Sequence, residues 1–297
     1  MEIWIPITIA AAFMQNVRFM LQKHVKGRLS TFGATFARFV WAAPLAALLV
    51  AALLAIRDES LPGTSGVFFG FAALGGLTQI FGTALVVALF SARNFAVGVS
   101  FSKTETVQTV MFGVLILGEH VSAMAVFAMV VSLVGVLLIS VQPGKLLGAG
   151  LFNRSALLGV ASGAMFGISA VSYRTASLSL DSGDFIIRAA LTLAIVTAMQ
   201  TAVMWIYLAM RERGEAARVF ANWRVTLWVG VTGMLGSLGW FTAMTLQNAA
   251  YVRALGQIEL VFTFAASVLF FREKSTRREI AGIVILTAGI VMLLLFR

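Results

Sequence analysis

The stretch Asn94-Phe-Ala-Val-Gly-Val-Ser-Phe-Ser-Lys-Thr-Glu105-Thr-Val-Gln-Thr109, running on through Leu117-Gly-Glu119 to Val136, returns later in the chain. It lies without a gap over Asn248–Ile290, at an offset of 154 (248 − 94). Asn94 falls on Asn248, Glu105 on Glu259, Thr109 on Thr263, Glu119 on Glu273 and Gly135 on Gly289. Valines and leucines coincide between these anchors. A repeat this long in so apolar a chain predicts two related halves with a site between them.

The solvent follows from composition. Of 297 residues 60% are hydrophobic and only 11% charged, and the mean hydropathy is +0.96. A soluble protein carries about 25% charged residues. The apolar residues come in runs of the length a bilayer requires, roughly 20 per spanning helix, not in the short alternating strands of a barrel. The expectation is an all-α membrane protein. With no cysteine, structural disulfides, thiol catalysis and cysteine metal sites are excluded. The net charge of +10 sits mostly in short loops and reads as contact with a lipid surface, not with nucleic acid. No cleavable signal peptide is expected, since the first apolar stretch lacks a basic leader and contains Gln15, Asn16 and Arg18.

Ten spans are read: 3–22, 30–56, 66–91, 94–117 and 121–141, then 153–174, 184–210, 224–247, 250–271 and 278–296. They divide into a first repeat over 1–141, a linker over 142–152 around Gln142-Pro143-Gly144-Lys145, and a second repeat over 153–297. Five crossings per repeat make the second run opposite to the first. The halves are thus inverted repeats about an axis in the membrane plane. One set of loops holds Lys23, Lys26, Arg28, Arg93, Lys145, Arg154, Arg211, Arg213, Arg218, Arg224, Arg272, Lys274, Arg277 and Arg278. The other holds Arg57, Arg174, Arg253 and the terminal Arg297. The rich set should face the cytoplasm, leaving both termini outside. Pro44 should kink the second helix. Glycines at 159, 163 and 167, and at 230, 233, 236 and 239, read as close packing inside the bundle, with a homodimer contact as the alternative to a monomer.

Polar residues deep in the spans are the candidate site. Glu105 lies about 11 residues into its helix, or ~16 Å, near the middle of a core about 30 Å thick. Glu259 lies at the same depth. A central carboxylate is unfavourable by about 2.5–3.5 kcal/mol, so two at equivalent positions should face a cavity or a cation, not lipid. They are candidates for substrate binding and proton coupling, or for structural ion pairs. Lys103 points about 200° away from Glu105 on one helix, so each needs a partner elsewhere. Thr109, Thr263 and Gln108 share the face of the glutamates, although a threonine can also bond back to its own helix. Gln15, Arg18 and Gln22 form one stripe, with snorkelling as the alternative for Arg18. Arg38 is too deep to snorkel, whereas Arg188 is placed for it. Gln79, Gln200, Gln257 and Trp240 read as lining or as packing. Glu119 and Glu273 stand at helix ends and read as caps for the helices that follow. His24 and His120 fall in loops, which leaves no histidine relay or metal site within the membrane. No HExxH, Walker A loop or GxSxG is present, so no enzyme is expected and no cofactor is called for.

The segment Val110-Met-Phe-Gly-Val-Leu-Ile-Leu-Gly-Glu119, followed by Leu133-Val-Gly135-Val-Leu-Leu-Ile139, has a counterpart. This is Ser267-Val-Leu-Phe-Phe-Arg-Glu273, followed by Ile280-Ala-Gly-Ile-Val-Ile-Leu-Thr-Ala-Gly289. The pattern resembles the drug/metabolite transporter superfamily and, within it, the EamA-like families of ten helices. In that pattern a glutamate ends the fourth helix of each half and a glycine lies late in the fifth. The resemblance implies a bacterial inner-membrane exporter of amino acids or related metabolites. Relatives carry nucleotide sugars, sugar phosphates or cationic drugs, and these are the alternatives. The mixture of Arg18, Arg38 and Lys103 with Glu105 and Glu259 suits a small zwitterion, a cation for its carboxylate and an acid for its amine. An intramembrane enzyme or non-transporting membrane subunit is the remote alternative.

Overall fold

The computed structural model describes residues 2–89, 101–140, 154–269 and 276–296, with the backbone alone at 140, 263 and 266–269. Among these residues there are helices and turns and no strand. The first repeat holds α1 (Trp4–Val25), α2 (Thr31–Arg57), α3 (Gly66–Leu89), α4 (Glu105–Phe112) and α5 (Ala123–Ser140). α4 continues as a π-turn over Gly113–Leu117 and closes on Gly118 at φ 63°. The second holds α6 (Arg154–Leu178), α7 (Phe185–Arg211), the short α8 (Glu215–Ala221), α9 (Trp223–Leu246), α10 (Ala249–Gly256), α11 (Glu259–Leu269) and α12 (Arg277–Leu295). Seven of the described helices (α1, α2, α3, α6, α7, α9 and α12) are each long and apolar enough to cross a bilayer alone. Asn94, Lys145 and Glu273, on which the repeat and the linker were partly read, lie outside the described residues.

Local chemistry sets the helix starts. The Ser30 hydroxyl accepts from the Gly33 amide at 2.9 Å and opens α2. The Asp184 carboxylate accepts from the Ile187 amide at 2.9 Å and opens α7. Thr276 and Glu279 form a reciprocal capping box at α12. α2 runs unbroken through Pro44. His24 belongs to the last turn of α1 instead of a loop. The loop after α7, read as plain connection, folds into α8. There Glu215 accepts from the Ser30 amide, and Arg218 Nη2 donates to the Arg28 carbonyl at 2.6 Å. Glu215 thus places a carboxylate at the positive end of α2.

The repeats interleave. α3 packs most extensively on α6, and α1 on α9. Exchanging each helix for its equivalent in the other repeat turns one of these contacts into the other. α2 packs on α7, and α5 on α12, each pair mapping onto itself. This is the contact pattern of a two-fold axis between the halves. It is exact at the α5–α12 crossing. A Cβ on Gly135 would lie 2.4 Å from the Leu286 nitrogen, and one on Gly289 would lie 2.6 Å from the Ser132 nitrogen. Leu286 and Ser132 are themselves separated by the repeat offset, so the two contacts are one contact seen twice. The glycine stripes are internal too. Gly163 and Gly167 let α6 approach α4, while Gly230 and Gly233 meet Trp41 and Arg38 of α2. The protein is an all-α membrane fold of two inverted five-helix repeats.

Candidate functional site

Neither the fourth nor the ninth span is one helix. Each breaks at the same repeat position: Lys103-Thr104 in the first, Gln257-Ile258 in the second. Short-range bonds bridge both breaks. The Thr104 amide donates to the Phe101 carbonyl at 3.2 Å, and the Gln257 amide to the Ala254 carbonyl at 3.2 Å. Such bonds keep part of a broken helix's backbone paired, which a membrane interior favours. Glu105 and Glu259 are therefore not mid-helix residues, as the sequence suggested. Each opens the helical segment that follows its break, where the helix dipole favours a carboxylate.

The two breaks face each other. Lys103 Nζ is ion-paired with Glu259 of the other repeat. Gln257, the equivalent of Lys103, donates to Thr106 Oγ1 at 2.6 Å. Gln15 Nε2 donates to the second oxygen of Glu259 at 3.0 Å. Glu105 in turn faces Arg253, with Nε 2.9 Å from Oε1. That contact is close but poorly aligned, since neither atom makes a geometrically sound hydrogen bond. Arg253 also lies over the Trp240 ring, 4.8 Å from its centre. Each central carboxylate thus takes its cation from the opposite repeat. Arg253 counts, by sequence, with the sparse set of loop cations. It stands instead in α10, at the centre of the charge cluster.

Two small adjoining cavities surround these groups. One is bordered by Lys103, Glu105, Thr106, Gln257 and Glu259; the other by Arg38, Gln79, Tyr173, Ser237 and Phe166. Gln15, Trp240 and Arg253 line both. Free space in each is on the scale of about one or two waters. The ion pairs fill most of the site in this conformation.

Of the residues selected from sequence, the structure gathers Gln15, Arg38, Gln79, Lys103, Glu105, Trp240, Gln257 and Glu259 at these cavities. It places three others away from them. Arg18 is buried and donates to Gln22 Oε1 at 2.6 Å, so it does not snorkel, and it borders neither of these two cavities. Thr109 bonds back to the Glu105 carbonyl at 2.7 Å. Gln108 reaches the Val160 carbonyl at 3.3 Å, beside Gly163. The side chain of Thr263 lies outside the description. Gln200 is packing: it donates to Gln79 and to the Gly76 carbonyl, both at 3.0 Å. Arg253, Tyr173, Thr106 and Ser237 were missed. Only Arg253 carried a signal, a basic residue inside an apolar span.

Glu119 does not cap α5. The hydroxyl of Ser122 does, accepting from the Ala125 amide at 3.1 Å. Glu119 is ion-paired with Arg174, whose Nη1 also donates to the Gln247 carbonyl at 2.8 Å. Arg174 thereby ties the ends of α4, α6 and α9 together at the termini-bearing end of the molecule.

Comparison with known proteins accords with this architecture. No curated protein sequence matches the chain. A solved crystal structure of a protein, 14% identical, covers 99% of this chain and 97% of its own with a TM-score of 0.74, which is a likeness of fold. The model of the EamA-like transporter family matches twice, over residues 2–141 and 153–295. The match extends over nearly the whole chain, and the chain belongs to the EamA-like transporter family.

Proposed function

We propose that the protein is a secondary transporter that exports a small metabolite, an amino acid or related zwitterion, across the bacterial inner membrane by alternating access. The observation that carries this reading is the pair of cross-repeat charge contacts, Lys103 with Glu259 and Arg253 with Glu105, at two facing helix breaks. Broken helices meeting at the interface of inverted repeats are where transporters bind substrate and coupling ions. The cavities are too small to hold a metabolite beside the ion pairs. A zwitterion can take their place, its ammonium on a glutamate and its carboxylate on Arg253 or Lys103. Substrate entry then replaces buried charge contacts in kind, which avoids stranding a charge. Protonation of Glu105 or Glu259 would dissolve the same contacts, and this makes both the candidates for coupling to a proton.

Orientation follows from charge. Lys23, Arg28, Arg213, Arg224 and Arg277 lie at the end opposite the termini, which supports placing that end in the cytoplasm. Counterflow of pooled labelled amino acids into liposomes tests the reading. Saturable accumulation supports it. Folded protein that moves none of them shifts the substrate to a sugar phosphate or a cationic drug.

A further inference from the structure

The buried charges around the central site do not balance. Among the described residues that border the two cavities, Arg38, Lys103 and Arg253 are three cations and Glu105 and Glu259 two anions, while Arg18 lies buried outside them. Lys103 and Arg253 each have a carboxylate partner. Arg38 has none among the described residues, although it is only 5% exposed. It donates to the hydroxyls of Thr83 at 2.8 Å and Ser237 at 3.2 Å. Arg18, 3% exposed, donates to the Gln22 amide oxygen and lies over the Phe19 ring at 4.4 Å. Hydroxyls, amides and a ring solvate a guanidinium without neutralising it. Such a charge is strongly unfavourable in a membrane interior unless a counter-ion reaches it.

Arg38 is also the one of these two that a ligand can reach, because it lines the cavity it shares with Arg253. No carboxylate among the described residues borders that compartment. Its polar lining is Arg38 and Arg253 with Gln15, Gln79, Tyr173 and Ser237, and it is also bordered by Trp240, whose indole Nε1 is a buried donor with no acceptor among the described residues. Both glutamates border the adjoining compartment instead. One side of the site is therefore cationic, and the other holds the acids.

We infer that the compartment at Arg38 binds a carboxylate and that the surplus of positive charge selects a substrate of net negative charge, an acidic amino acid or a comparable small dicarboxylic acid. The inference rests on reading the central cavities as a transport site. One carboxylate docks on the Arg38 fork and the other against Arg253, both in charge-assisted hydrogen bonds. An ammonium, where the substrate has one, goes to Glu105 or Glu259. A neutral zwitterion leaves the surplus in place, and a cation adds to it.

The test is thermal unfolding of the purified full-length protein in detergent with L-glutamate, L-aspartate, succinate, L-leucine or L-lysine, at one ionic strength and with potassium chloride as reference. The acids should raise the midpoint above the chloride reference, and leucine and lysine should not. In Arg38→Gln the affinity for the acids should fall about 10-fold or more, the scale of one lost charge-assisted hydrogen bond. Arg38→Lys keeps the charge without the fork and should lose less. No protection by any acid overturns the proposal. So does protection by chloride or leucine that equals that by glutamate, or protection by the acids that Arg38→Gln leaves unchanged. The wild-type panel decides by itself if Arg38→Gln does not fold. Counterflow of the same compounds separates the two failures. Leucine carried as well as glutamate sinks the charge selection and leaves transport standing. Protection by the acids without flux of any compound sinks transport and leaves the anion site standing.

Discussion

Lys103 and Glu259 belong to different repeats, and each stands at the break of its own helix, yet the two side chains are ion-paired across the middle of the molecule. They are 14% and 8% exposed, so little water screens them. Removing one partner strands the other. Lys103→Met should destabilise the protein by roughly 2–4 kcal/mol, near the range for broken buried pairs. Adding Glu259→Gln should restore part of that, with a coupling of about 1–3 kcal/mol in the double-mutant cycle. Chemical denaturation in mixed micelles measures it, and strictly additive losses would show the pair to be uncoupled.

The α5–α12 crossing makes a sharper steric prediction. Cβ atoms at Gly135 and Gly289 would run into backbone, which has no rotamer to yield. Gly135→Leu or Gly289→Leu should each lose about 3 kcal/mol or more, at the upper end of overpacking effects. Gly70, inside α3, has nothing within 4 Å of such a Cβ. Gly70→Ala should instead gain up to about 1 kcal/mol from helix propensity. Thermal midpoints of the three variants settle the order.

Outside the membrane spans, Asp184 couples stability to pH. Burial pushes its carboxyl up. The amides of Ile187 and Ile186 and the Arg57 guanidinium outweigh that and hold it below its ordinary value. A carboxyl depressed on folding stabilises above its unfolded pKa, and the contribution disappears as pH falls through the folded one. The contribution is therefore intact at neutral pH and lost below about pH 4. The Arg57 pair is 35% exposed on each side and adds little. The cap on α7 is the larger part, so Asp184→Ala should lose about 0.5–1 kcal/mol at pH 7. It should also flatten the acid limb of a stability-against-pH curve.

Orientation can be read chemically because the chain has no cysteine. Glu2→Cys and Arg213→Cys place single thiols at opposite ends of the molecule. An impermeant maleimide on intact cells should label position 2 and spare position 213. The reverse labelling would invert the assignment of sides.

The repeat made much of the fold legible. Asn248 on Asn94 and Gly289 on Gly135 fix the offset, and an odd helix number fixes the inversion. The site was half legible. A glutamate deep in an apolar run is conspicuous, because lipid makes it unfavourable. The breaks were not, because Lys103-Thr104 and Gln257-Ile258 contain no proline or glycine. Their cause is tertiary: each break residue bonds to the helix start of the opposite repeat. Arg253 was misplaced for the same reason. What holds it at the site is Glu105 of the other repeat and the Trp240 ring of α9. Glu119 looked like a cap until folding brought Arg174 to it, 55 positions away along the chain.

The central claim is that a substrate exchanges with the cross-repeat ion pairs. Counterflow in liposomes, comparing wild-type protein with folded Glu105→Gln and Lys103→Met, tests it most directly. Each substitution removes one partner of a charge-assisted contact, so saturable accumulation should fall about 10-fold or more in both. Accumulation that neither substitution alters would contradict the claim and return Glu105 and Lys103 to a purely structural role.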